Sequence, residues 1–194
     1  MLDVSKNRGL GSREIATLTI RIETLLGRPL GQPVKIDVVT GCHMTGIPSG
    51  PHDNILDQVL QGSLPKVHLY PIADHLADKV SATMEVYGTP DNRRSSTRVR
   101  DLVDIAHIAA TQEIGGRELS FAIESERTVR GLAPFADGLQ CPVSWKVTYT
   151  TQKHLGRAPR DFASALKVAK ALIDPAIRDE VDGQVWRDGG WRKL

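Results

Sequence analysis

The chain has 194 residues, with 25 basic against 23 acidic side chains, a formal net charge of +2, and 40% hydrophobic and 25% charged residues. That length buries a real core and suits one domain, or one domain with a helical extension. Overall charge gives no argument for a nucleic-acid partner, and the two cysteines, Cys42 and Cys141, make neither a disulfide framework nor a zinc-spaced set. The N-terminal MLDVSKNRGLGSRE has no apolar run, and no stretch approaches about eighteen consecutive apolar residues, so neither a signal peptide nor a membrane helix is expected. The expected location is the cytoplasm.

In chain order, Ile15 to Thr24 alternates: Ala16, Leu18, Ile20 and Ile22 against Thr17, Thr19, Arg21 and Glu23. That is the period of a half-buried strand. Gly27, Pro29, Gly31 and Pro33 punctuate a turn. A second strand, Val34 to Thr40, places Val34, Ile36 and Val38 on one face and Lys35, Asp37 and Val39 on the other, and the two pair as an antiparallel hairpin. Gly41 to Asp53 reads as loop. Ile55 to Leu60 is a short apolar piece, either helical turn or strand, and Pro65 to Tyr70 is a candidate third strand.

Pro71 opens a helix with Ile72, Leu76, Val80 and Met84 as its apolar stripe. Gly88 to Asn92 breaks it. Ser95, Ser96 or Thr97 caps a second helix, in which Val99, Leu102, Val103, Ala106 and Ala110 face one way. Ile105 and Ile108 add apolar surface elsewhere, so this helix is expected to be buried on more than one face. Gly115-Gly116 ends it. A third helix runs from Arg117 to Arg130, and Ala133 to Pro142 is loop. A short helix is expected around Trp145 to Thr150. Another starts at Pro159, carries Phe162, Ala165, Leu166, Ala169 and Leu172, and stops at Asp174-Pro175. Strands first and helices after argue an α+β fold. A division into residues 1–114 and a helical subdomain 115–194 is the expected organisation.

Two segments carry the chemistry. Lys79 lies at the border of an apolar stripe, so its stem can cross the core and deliver an ammonium to a cleft; a snorkelling surface lysine fits the same spacing. Asp101 stands near the start of the second helix, on the face of Ile105 and Ile108, where a carboxylate needs a partner. Asp104 lies on a neighbouring face. Helix-start electrostatics plus a salt bridge to an arginine would account for both.

Taken together, Ala77-Asp78-Lys79 and Arg98-Val99-Arg100-Asp101-Leu102-Val103-Asp104 resemble two helical motifs of the AbiEii/AbiGii toxin nucleotidyltransferases, with arginine for the usual lysine before Asp101. Val34-Lys35-Ile36-Asp37-Val38 resembles the family's strand with the third acidic residue of a polymerase-β-like site. Trp145 and Tyr149, the helix after Pro159, and Gly183 with Trp186 and Trp191 resemble its C-terminal region. The resemblance covers the chain from about Val34 onward. It implies a remnant of a polymerase-β-like mixed sheet followed by a mainly helical C-terminal region, in a bacterial toxin–antitoxin protein. It also implies transfer of a nucleoside monophosphate from a nucleoside triphosphate to an RNA acceptor such as the 3′ end of tRNA, which blocks translation. Lys79 would hold the triphosphate, Asp101 would hold that lysine or the nucleotide, and Asp37 would stand at the metal-binding carboxylate position, with Mg²⁺ as cofactor and a cognate antitoxin as partner.

The chain departs from that pattern at one place. The family's Gly-Ser motif leads into an Asp-x-Asp pair that carries the metals. Here Gly11-Ser12 is followed by Arg13-Glu14, and no Asp-x-Asp precedes Asp37. One carboxylate does not hold two Mg²⁺ ions. Three readings follow: an active enzyme whose coding region starts upstream of Met1, a shortened inactive relative that binds nucleotide or RNA, and half of a split enzyme or an interaction partner in a toxin–antitoxin pair. Without the missing segment, the first hairpin is expected to show an unpaired edge or an uncovered apolar face. Elsewhere, His43, His52 and Asp53 read as loop polars, the tryptophans as core rather than base-stacking groups, and Arg93 to Arg100 as either a phosphate-contacting patch or a solvated helix start.

Overall fold

The computed structural model describes residues 2–8, 14–21, 23–24, 27–29, 31–54, 64–89 and 91–194. The chain divides into two compact units, Met1–His43 and Met44–Leu194.

The first unit is a three-stranded antiparallel sheet in the order β1 (Leu2–Arg8), β2 (Glu14–Ile20), β3 (Val34–Thr40). The expected hairpin is present, and its register sets Leu18 opposite Ile36 and Thr17 opposite Asp37. The first strand stops at Ile20 rather than Thr24, because Glu23 bridges Pro29 and Gly27 donates its N–H to the Thr24 carbonyl, closing the turn early. On the β2 side the hairpin is paired, and its unpaired edge among the described residues is that of β3. β1 pairs with β2 along its length, from Leu2 opposite Ile20 to Arg8 opposite Glu14, so β2 is a central strand. The expected uncovered apolar face does exist: Val34, Ile36 and Val38 are 48%, 41% and 49% exposed. Gly11-Ser12 and the Ile55 to Leu60 piece lie outside the described residues.

The second unit opens with β4 (Ser49–His52) paired antiparallel to β5 (Val67–Leu69). β4 therefore interrupts the loop expected from Gly41 to Asp53. α1 (Ile72–Met84) follows, then the short pair β6 (Val86–Tyr87) and β7 (Arg94–Ser95), and α2 (Val99–Ala109). After these come β8 (Ile114–Gly115), α3 (Gly116–Val129), α4 (Trp145–Thr150) and α5 (Phe162–Ile177). β9 (Gln184–Arg187) and β10 (Gly190–Lys193) form a hairpin, and β9 also pairs with β8.

One core joins these elements: Leu76 and Val80 of α1, Leu102 and Ile105 of α2, Leu119 of α3, Leu172 of α5, and Trp186 of β9 are all at most 1% exposed. α1 packs on α3, and α2 on both α1 and α5. This core takes in residues on both sides of residue 114. α2 is buried on more than one face, as its double stripe implied: Leu102, Val103, Ile105, Ala106 and Ile108 are all inside.

Other boundaries differ for local reasons. No side chain caps α2; instead Ser96 Oγ accepts the Arg98 N–H at 3.3 Å. α2 ends at Ala109, and Gly115-Gly116 joins β8 to α3, where a Cβ on Gly116 would stand 2.0 Å from the Val181 carbonyl. α5 runs through Pro175 to Ile177. A proline this near the end removes one helical hydrogen bond, and the last turn still closes with Arg178 N–H on the Asp174 carbonyl. The fold is α+β, as expected, but every strand pairing among the described residues is antiparallel, both in local pairs such as β9–β10 and in the long-range β8–β9 pair.

Candidate functional site

Lys79 is buried at 8% exposure, so it is not the surface lysine that its spacing also allowed. Its stem follows the apolar stripe of α1, and its ammonium meets α2. Nζ donates to Asp104 Oδ2 at 2.6 Å and to Asp101 Oδ1 at 3.5 Å. Asp101 is 4% exposed, and its other oxygen, Oδ2, lies 2.7 Å from Arg98 Nε. That contact is an ion pair without the alignment of a hydrogen bond. Asp104 is the open member, its side chain 36% exposed. Two cations and two carboxylates therefore sit together and cancel. The carboxylates follow from spacing: residues 101 and 104 are three apart on α2 and reach the same point on the neighbouring helix.

Both helices are fixed in place. At the start of α1 the buried Asp74 accepts from the Thr45 amide and hydroxyl, each at 2.8 Å, and from the Gly46 amide at 3.0 Å. Farther along α1, Asp78 and Glu85 bind Arg130 at the end of α3, which also holds the buried Glu126 at 2.6 Å. α2 is pinned near each end by an indole. Trp145 Nε1 donates to the Ser96 carbonyl at 2.9 Å, and Trp186 Nε1 to the Ala109 carbonyl at 2.7 Å. Trp145 and Trp186 are buried, in keeping with the core reading, and Trp186 meets Trp191 edge-on at 5.6 Å between ring centroids.

His75 stands one turn before Lys79 on α1, with its ring edge-on to Tyr70 at 6.4 Å. It is exposed. Partial burial, and then the charge of Lys79, hold its imidazole below the ordinary value of 6.5, against the opposing pull of Asp104, Asp78 and Asp101. Sequence reasoning passed over His75, although its place four residues before Lys79 was legible. Asp104 was visible in the motif but was not singled out as the nearest partner of Lys79.

Asp37 lies in the other unit. It is exposed on β3 and accepts the Thr17 hydroxyl at 2.7 Å across the register pair. Among the described residues no three His, Cys, Asp or Glu side chains converge where a metal ion could be held. A pair of Mg²⁺ ions needs several carboxylate oxygens, so the described residues do not fit a two-metal centre. Ser49 Oγ lies 3.1 Å from His52 Nε2, and Lys66 pairs with Asp53, all on the surface. Burial pushes the Cys141 thiol up to about 12, which makes it inert.

The described helices include none long and apolar enough to cross a membrane. No curated protein matches the chain. The family description that does match is "Nucleotidyl transferase AbiEii toxin, Type IV TA system", over residues 3–185. This span starts well before Val34 and takes in both the Lys79 helix and the Asp101 helix. The chain belongs to the AbiEii nucleotidyltransferase toxin family of type IV toxin–antitoxin systems.

Proposed function

We propose that this chain binds a nucleoside triphosphate at Lys79 and serves transfer of the nucleoside monophosphate to an RNA acceptor such as the 3′ end of tRNA, in the bacterial cytoplasm. The observation that carries the reading is the buried Lys79 ammonium held between Asp101 and Asp104. A lysine is rarely buried without a role for its charge. Phosphoryl-type transfer depends mainly on positioning and charge neutralisation, and a lysine fixed by two carboxylates on a clamped helix supplies the first and part of the second. In the reaction the acceptor hydroxyl oxygen bonds to the α-phosphorus, pyrophosphate leaves, and the hydroxyl proton passes to a base. Asp37 is the candidate for that base. A cognate antitoxin is the expected protein partner.

A second reading has its own support. Among the described residues no group of three potential metal ligands includes Asp37, which favours a relative that binds nucleotide or RNA, or a toxin–antitoxin partner, without carrying out transfer. Incubation of the purified chain with labelled nucleoside triphosphates, Mg²⁺ and total tRNA separates the two. Label on the tRNA 3′ end supports transfer. Nucleotide binding with no label supports the second reading, and absence of both removes the Lys79 site as a nucleotide site.

A further inference from the structure

The Lys79 cluster is electrically balanced before any ligand arrives. Lys79 is committed to Asp104 and Asp101, and Arg98 to Asp101. A polyphosphate brings several negative charges, and in a half-buried site each unmatched one is costly. A further positive charge is needed at the open side.

His75 is placed to provide it. A separation of four residues on α1 stacks its side chain one turn from Lys79. Lys79 is buried, whereas His75 is exposed, so the imidazole forms the outward continuation of the lysine. The groups that bear on it are Lys79 and Asp78 from α1, Asp104 and Asp101 from α2, and the Tyr70 ring from the segment before α1. In the unliganded protein partial burial and Lys79 favour the neutral imidazole, although Asp104, Asp78 and Asp101 pull the other way. An anion set against Lys79 would tip that balance toward the charged imidazole.

We propose that His75 is the outer anion contact of the Lys79 site and takes up a proton as a polyphosphate binds. The inference rests on the reading of Lys79 as a triphosphate site. Binding then couples to pH: protonation favours the complex, so affinity falls as pH rises through the range where free and bound imidazole differ.

The test is calorimetric titration of the whole chain with inorganic tripolyphosphate in two buffers of different ionisation enthalpy, which counts protons taken up on binding. The terminal phosphate titrates in the same range, so the difference between proteins carries the result. The wild type is expected to take up most of one proton more than His75→Gln at about pH 7, the range in which histidine switches. His75→Lys, with a fixed charge, should bind with wild-type affinity or better and show the reduced proton count of His75→Gln. An equal proton count in wild type and His75→Gln, with binding still dependent on Lys79, overturns the role of His75 alone. Absence of tripolyphosphate binding by the wild type overturns both this role and the triphosphate reading of Lys79.

Discussion

The sheet of residues 1–43 and the helical unit of residues 44–194 treat their apolar and charged residues in opposite ways. In the sheet, Val34, Ile36 and Val38 share a face and stay 41–49% exposed, and Asp37 is itself exposed, accepting the Thr17 hydroxyl. In the helical unit, Leu76, Leu102 and Trp186 are sealed inside, and even Lys79, Asp101 and Glu126 are buried with partners. Alternation along a strand guarantees a one-sided face, but it does not supply the surface that covers it. Helical stripes that meet other stripes supply their own cover. Chemistry that needs a charge held still is therefore better served by the helical unit.

The largest expected effect is at Arg130. Arg130→Met would remove the cation that Glu126, Asp78 and Glu85 share, and removal of one partner of such a buried network costs about 3–5 kcal/mol. Urea denaturation followed by helical circular dichroism would read the loss. A change below about 1 kcal/mol would mean that the helical unit does not depend on its buried charges.

Next is Trp186→Phe. The ring volume is largely kept, but the Ala109 carbonyl loses its donor, for an expected loss of about 1–3 kcal/mol. The same denaturation measurement decides it, and an unchanged midpoint would show that the end of α2 is not pinned there.

The third prediction is a direction. The folded protein holds His75 below its unfolded value, so on acidification the unfolded chain binds this proton first. Stability from neutral His75 is thus present above the ordinary value of 6.5 and declines as pH falls below it. His75→Gln should flatten that part of the thermal stability profile between about pH 5 and 7. An identical profile in both proteins would contradict the environment described for the imidazole.

The smallest effect should be in the sheet. Asp37→Asn and Ile36→Thr change exposed side chains on β3, and each is expected to stay within about 0.5 kcal/mol in equilibrium unfolding. A larger loss from Ile36→Thr would show that the β3 face is covered in solution.

What the sequence revealed follows the same contrast. The β2–β3 hairpin and the stripes of α1, α2 and α5 were legible because each has a clear period. β1 was not, because Leu2-Asp3-Val4-Ser5-Lys6 shows only two apolar residues in alternation, too short a signal without knowledge of its β2 partner. The β9–β10 hairpin did leave a signal. Asp188 and Gly189 both take positive φ, of 50° and 73°, and Asp-Gly is the pair preferred in such two-residue turns, but Trp186 and Trp191 were read as core or stacking groups and as part of a family pattern, not as a hairpin. Lys79 and Asp101 were found through their motifs. Their spacing alone favoured a surface lysine and an ordinary helix-start carboxylate, because which helices touch is a tertiary fact. For the same reason Asp104 was not recognised as the closer partner of Lys79.

The central claim is that nucleotide binding belongs to the Lys79 cluster, and equilibrium dialysis of labelled nucleoside triphosphate tests it most directly. The protein to compare is Lys79→Met combined with Asp104→Asn, which removes one charge of each sign and so keeps the cluster balanced. With Asp37→Asn as the second comparison, binding is predicted to be lost in the double variant and retained in Asp37→Asn. Binding retained in the double variant would contradict the account.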